Sequence, residues 1–218
     1  LKMATQLLSQ DRRRLAQHLL KKRGLADVRQ QVIPRSTDGG PAPLSFAQLR
    51  LWYHEQLHPG SALYNTPVVL ELQGALDTVA LKSAFERIVE RHDALRTVFR
   101  IIDDEPYQVV RPTHSLPLPI EDLTHLPPEE RRRAAMASTE DSVRAPIDLS
   151  EGPIFQVRLI KLDEQCWWLL MLSHHMIFDG WSRTLLTREF ATWYAVNAGR
   201  AKPPPALPVQ YGDFARWQ

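Results

Sequence analysis

Residues 173–182 read SHHMIFDGWS, and they follow the apolar run CWWLLML at 166–172. Two adjacent histidines, a carboxylate four residues on and a glycine are unusual at the end of a buried stretch. Each imidazole nitrogen removed from water needs a hydrogen-bonding partner. One histidine of such a loop can present a ring nitrogen to a substrate, and a near-neutral imidazole suits general acid–base work on an acyl group. Asp179 has two available jobs, accepting from an imidazole or pairing with a distant arginine to lock the loop. Gly180 permits close backbone approach, and N–H groups at the start of a following helix can face developing negative charge.

Other readings of the same residues compete. His174, His175 and Asp179 are all metal-ligand types, but adjacent residues leaving a strand point in opposite directions and rarely chelate one ion. The sequence contains no HExxH and no CxxC. Two structural histidines that simply satisfy buried partners are the plain alternative. A serine or cysteine nucleophile has no support, since GxSxG is absent and the single cysteine, Cys166, falls within the apolar run.

The elements that must position this loop follow from periodicity and punctuation. SQDRRRLAQHLLKKR (9–23) reads as a helix capped by Ser9 and stopped by Gly24, with PRSTDGGPAP (34–43) as a linker, so the folded body is expected from Leu44. Helical spacing over 46–57 places Phe46, Leu49, Trp52 and Tyr53 together. Residues 66–74 read as a strand, and 76–92 as a helix capped by Asp77. A hairpin is expected over 95–110, turning around Asp104–Pro106, then an irregular proline-marked crossing at 112–128. A helix over 128–145 starts on Pro128 with Glu129 and Glu130 in its first turn. A second hairpin pairs 154–162 with 166–173; the latter strand is apolar on both faces and therefore central. The last long helix runs from Gly180 to Asn197, with Leu185, Leu186, Phe190, Trp193 and Tyr194 inward. Alternation of helices with hairpins predicts an α/β pattern with mixed hairpin pairing, not a regular doubly wound sheet.

Composition narrows the function classes. The chain has 218 residues, 44% hydrophobic and 24% charged, with a formal charge of +2. That is ordinary for a globular protein, and it lacks the concentrated basic face of a nucleic-acid binder. No apolar run reaches membrane-spanning length and no signal-peptide pattern opens the chain, so no membrane partner and a cytoplasmic location are expected. A leucine at position 1 points to a fragment of something longer.

HHMIFDGWS resembles the HHxxxDG signature of condensation domains in nonribosomal peptide synthetases, which is shared with chloramphenicol-acetyltransferase-like acyltransferases. Three further stretches match in order: LSFAQLRLWYHEQLHPGSALYN (44–65), RHDALRTVF (91–99) and YGDFARWQ (211–218). The resemblance covers residues 44–218, the N-terminal lobe of such a domain, with 1–43 resembling the connector before it. It implies a chloramphenicol-acetyltransferase-like fold, an α/β two-layer sandwich with a mixed sheet, and amide formation between carrier-bound substrates. His175 is implied as the catalytic residue, while His174, Asp179 and Gly180 shape the loop. Arg96 or Arg91 is implied as the ion partner of Asp179, a buried pair. No cofactor or metal is implied for the lobe itself; phosphopantetheine arms of donor and acceptor carrier proteins deliver the substrates. The C-terminal lobe and adjacent synthetase modules are the implied partners, and this lobe alone is expected to be inactive. An epimerisation lobe and a non-catalytic carrier-recruiting platform are the alternatives. A heterocyclising domain would carry aspartates in place of the histidines.

Overall fold

The computed structural model describes residues 32–37, 39–112 and 115–218. The helix expected over 9–23 lies outside them. In chain order the elements are β1 (Ala42–Pro43), α1 (Phe46–Leu57), β2 (Asn65–Gln73), α2 (Thr78–Arg91), β3 (Thr97–Ile102), β4 (Glu105–Val110) and β5 (Ile120–Asp122). They continue with α3 (Pro128–Arg144), β6 (Phe155–Asp163), β7 (Cys166–His174), α4 (Gly180–Asn197) and α5 (Tyr211–Trp217). No helix among the described residues is long and apolar enough to cross a membrane.

Two sheets form, in the orders β1-β4-β3 and β2-β7-β6-β5. Every neighbouring pair is antiparallel except β5 with β6, which makes the larger sheet mixed. β7 is central, as its unbroken apolar run predicts, with Leu169 flanked by Leu70 of β2 and Leu159 of β6. Period-two alternation sends Trp167, Leu169 and Met171 to one face, against Leu81, Phe85 and Ile88 of α2 and Leu186 and Phe190 of α4. The Phe85 and Phe190 rings stack there at 4.9 Å. Phe85 is fully buried, and its replacement by alanine costs about 3–5 kcal/mol. The other face carries Leu172 and, past the strand end, Met176, against Trp52 of α1, Phe99 of β3 and Ile154. α3 covers Ile160 and Leu162 of β6 through Ala135.

Four local expectations change. α1 does not bury the four apolar residues that its spacing groups: Phe46 and Tyr53 are 68% and 61% exposed. Its buried face is instead Gln48, Trp52 and Glu55, with Gln48 Nε2 donating to the Met176 carbonyl just past the end of β7. The β3–β4 hairpin turns on Asp103 and Asp104, at φ of 50° and 64°, so Pro106 sits inside β4 opposite Ile101. Aspartate tolerates the left-handed region that a two-residue hairpin demands. The proline-rich crossing contains β5, a strand too short for alternation to reveal. The body also reaches back across the stretch assigned as linker: Ala42 is buried and pairs with Gln108, and the Ser36 N–H donates to Asp213 Oδ1 at 2.9 Å.

Candidate active site

β7 ends on His174, and residues 174–177 form a turn closed by the Ile177 N–H donating to the His174 carbonyl at 3.1 Å. The two histidines diverge there. His174 continues the strand's inward alternation and is 1% exposed; its neighbour is exposed. His174 Nδ1 accepts the Met176 N–H at 3.1 Å, so the neutral ring carries its proton on Nε2. Nε2 lies 3.4 Å from Glu55 Oε1, and neither atom has a hydrogen bond among the described residues. Burial, and then the adjacent His175, pull the His174 pKa down to about 4. Burial pushes Glu55 up, against the opposing pull of His54 and His58. A carboxyl in ion-pair range would by itself raise an imidazole pKa. Burial outweighs it, and His174 is neutral at physiological pH.

His175 is held by two backbone carbonyls. Its N–H donates to the Tyr64 carbonyl at 2.8 Å, and its Nδ1 donates to the Phe178 carbonyl at 2.6 Å. With Nδ1 occupied as a donor, Nε2 of the neutral ring is a free acceptor. The imidazole lines a cavity of about 250 Å³ together with Gln48, Arg50, Phe178, Ser182 and Tyr211. The Gln48 Nε2 donates to the Met176 carbonyl at 3.2 Å, tying α1 to the turn.

Asp179 performs neither expected job. Its Oδ1 accepts the Ser182 N–H at 2.8 Å and the Ser182 hydroxyl at 2.7 Å, which makes it the N-cap of α4. These Ser182 bonds, with the charge of His175, hold the carboxyl below the usual carboxylate range. Asp179 is exposed, and no cation among the described residues pairs with it. The expected arginines have other partners. Arg91 Nε lies 3.2 Å from Glu189 Oε1, beside His92 Nε2 at 2.8 Å from Glu189 Oε2. Arg96 pairs with Asp93 and donates to the Arg111 carbonyl at 2.7 Å. Arg91 thus secures the helix that follows the loop, ten residues beyond Asp179, where both partners are buried enough for a pair to matter.

Two further expectations shift. The Ser182 amide is used by Asp179 and the Arg183 amide donates to the Asp179 carbonyl, so these first-turn N–H groups are not open to a substrate oxyanion. A Cβ at Gly180 would meet nothing within 4 Å, so no packing among the described residues calls for glycine. Sequence reasoning missed Gln48, Glu55, Tyr64 and Ser182. Polar residues at i and i+7 on a helix that abuts an apolar strand end were the available signal for the first two.

A model of the condensation domain family matches residues 39–218. The chain is 39% identical over 196 residues to a linear gramicidin synthase polypeptide of Brevibacillus parabrevis, covering 89% of this chain and 2% of that protein. It is 40% identical over 189 residues to phosphinothricin tripeptide synthetase PhsC of Streptomyces viridochromogenes, covering 86% of this chain and 17% of that protein. The starter condensation domain of rhizomide synthetase RzmA superposes with a TM-score of 0.74 at 25% identity, over 81% of this chain and 42% of that one. The first condensation domain of the calcium-dependent antibiotic synthetase gives 0.69 at 25% identity, over 77% and 40%. The chain therefore spans a small part of these synthetases and about two fifths of the solved domains. With its mixed sheet, its divergent histidine pair and its family match in agreement, the chain belongs to the condensation domains of nonribosomal peptide synthetases and carries the N-terminal portion of one.

Proposed function

We propose that His175 is the catalytic residue of amide formation between two substrates held as thioesters on phosphopantetheine arms of donor and acceptor carrier proteins. The observation that carries this reading is the His175–Phe178 contact of 2.6 Å, which leaves Nε2 as the acceptor of a ring that lines a cavity. The acceptor's α-amine nitrogen bonds to the donor's thioester carbonyl carbon. The amine proton passes to Nε2, the C–S bond breaks, and the departing sulfur of the donor arm takes a proton. A free α-amine titrates at about 7.7–8.0, so a positioned base or orienting acceptor is useful near neutrality. The arms are delivered with the substrates.

Two points support the assignment. Solved variants of the rhizomide synthetase domain alter a histidine and an arginine eight positions apart, and His175 and Arg183 have the same separation. His174, buried and neutral, is suited to scaffolding and leaves the chemistry to its exposed neighbour.

The test is product formation from loaded donor and acceptor carriers by a protein spanning the whole condensation domain. His175→Ala is expected to lower turnover by about 10²–10⁴-fold, the usual contribution of a general acid–base group. Turnover like that of the parent would overturn the assignment.

A further inference from the structure

We propose that Glu55 is a positioning residue for the catalytic loop, acting through His174; this rests on the reading of His175 as the working histidine. Glu55 is 8% exposed and belongs to the inward face of α1 with Gln48, two helical turns away. A buried carboxyl is costly unless something compensates it. No lysine or arginine among the described residues pairs with Glu55; the imidazoles near it are His54 on its own helix, His58 at that helix's C-cap and His174 at the end of β7.

The ring geometry gives the carboxyl its role. His174 Nδ1 is committed to the Met176 N–H, so the proton of the neutral ring sits on Nε2, which lies 3.4 Å from Glu55 Oε1. Both atoms are buried and neither has a hydrogen bond among the described residues, which makes each the other's candidate partner. Glu55 is the acceptor that makes the Nε2–H tautomer of His174 favourable, and that tautomer alone leaves Nδ1 able to receive the Met176 amide. In the other tautomer two N–H groups would face each other across 3.1 Å. The turn would open, and with it the geometry that brings the Phe178 carbonyl to His175 Nδ1. Gln48 supports the same turn from the other side through the Met176 carbonyl. The helix α1 therefore grips the loop at two points, and the carboxyl grip selects a proton position.

The experiment uses protein spanning the whole condensation domain, labelled with 15N-histidine. Imidazole 15N shifts report the His174 tautomer without turnover, and kcat and KM are measured with loaded carriers. Glu55→Gln keeps an acceptor and is expected to retain the Nε2–H signature with near-parental kcat. Glu55→Leu removes it and is expected to shift His174 towards the Nδ1–H signature. In that variant kcat should fall by about a hundredfold, the scale of a loop misplaced by an ångström, with KM little changed. An unaltered His174 signature in Glu55→Leu, or a shifted signature with unchanged kcat, overturns the inference. Should Glu55→Leu fail to fold, loss of the Nε2–H signature in Glu55→Gln overturns it instead. Parental activity in His175→Ala would sink the proposed catalytic role alone, since the His174 signals are read independently of it.

Discussion

His175 Nδ1 lies 2.6 Å from the carbonyl oxygen of Phe178, three residues along the same loop. The bond fixes which nitrogen of the neutral ring is left as the acceptor. In its neutral form His175 is expected to show the Nδ1–H tautomer by imidazole 15N shifts. A dominant Nε2–H signal would mean that the carbonyl does not orient the ring.

His174 is expected to make stability fall with acid. Its folded pKa is about 4, below the ordinary histidine value near 6.5. Between these values the unfolded chain binds a proton that the folded chain does not, so stability is full above about 6.5 and drains as pH falls towards 4. The depression corresponds to roughly 3 kcal/mol for a group this deeply buried. Urea denaturation from pH 7 to 4.5 should show that slope in the parent and a flatter one in His174→Gln. Parallel curves would place the acid sensitivity elsewhere.

Asp179→Ala is expected to cost about 1 kcal/mol, the worth of a lost helix cap, rather than the larger penalty of a broken buried ion pair. Asp179→Asn should recover most of it. The Ser182 bonds hold the folded carboxyl below its unfolded value, so the cap's charged contribution is present above the unfolded pKa and is lost as pH falls through the folded one. A loss beyond about 3 kcal/mol in a thermal or urea melt would restore the case for a hidden cationic partner.

Glu189→Ala is expected to destabilise by about 3–5 kcal/mol, because it strips a largely buried arginine and histidine of their shared carboxylate. Burial raises the Glu189 pKa, but the His92 and Arg91 contacts more than offset it and the net shift is downward. The contribution is thus present above the unfolded pKa and fades as pH drops through the folded value. A melting temperature within a degree of the parent would show the cluster to be energetically idle.

The sequence was most informative where one physical rule dominated. β7 is central because seven consecutive apolar residues have no wet face, and Asp77, Pro128 and Gly180 mark helix starts where capping and first-turn geometry place them. Reading was poorer where tertiary neighbours decide. Nothing local in FAQLRLWYHEQL reveals that Gln48 and Glu55 turn inward while Phe46 and Tyr53 face out. That choice depends on Met176 and His174, more than a hundred residues away. The error over Asp179 has the same origin: the carboxylate's partner is Ser182, three residues on, a capping signal that an expected long-range pair obscured. His175 stood out as a loop histidine at a strand end, but its two carbonyl anchors, at Tyr64 and Phe178, emerge only from the fold.

Ser36, Gly40, Ser45 and Phe46 are laced to α5 and to Gln218 after it by several bonds. The Ser36 N–H meets Asp213, Arg216 donates to the Gly40 carbonyl at 2.6 Å, the Ser45 and Tyr211 hydroxyls lie 2.9 Å apart, and the Phe46 N–H donates to Gln218. Tension drawn between these two stretches is shared by that lacing in parallel. The clasp also touches the cavity that His175 lines, since Tyr211 belongs to both and Ser45 caps the helix whose Gln48 holds the Met176 carbonyl, so a pull on these stretches is felt at the histidine loop through a few polar contacts.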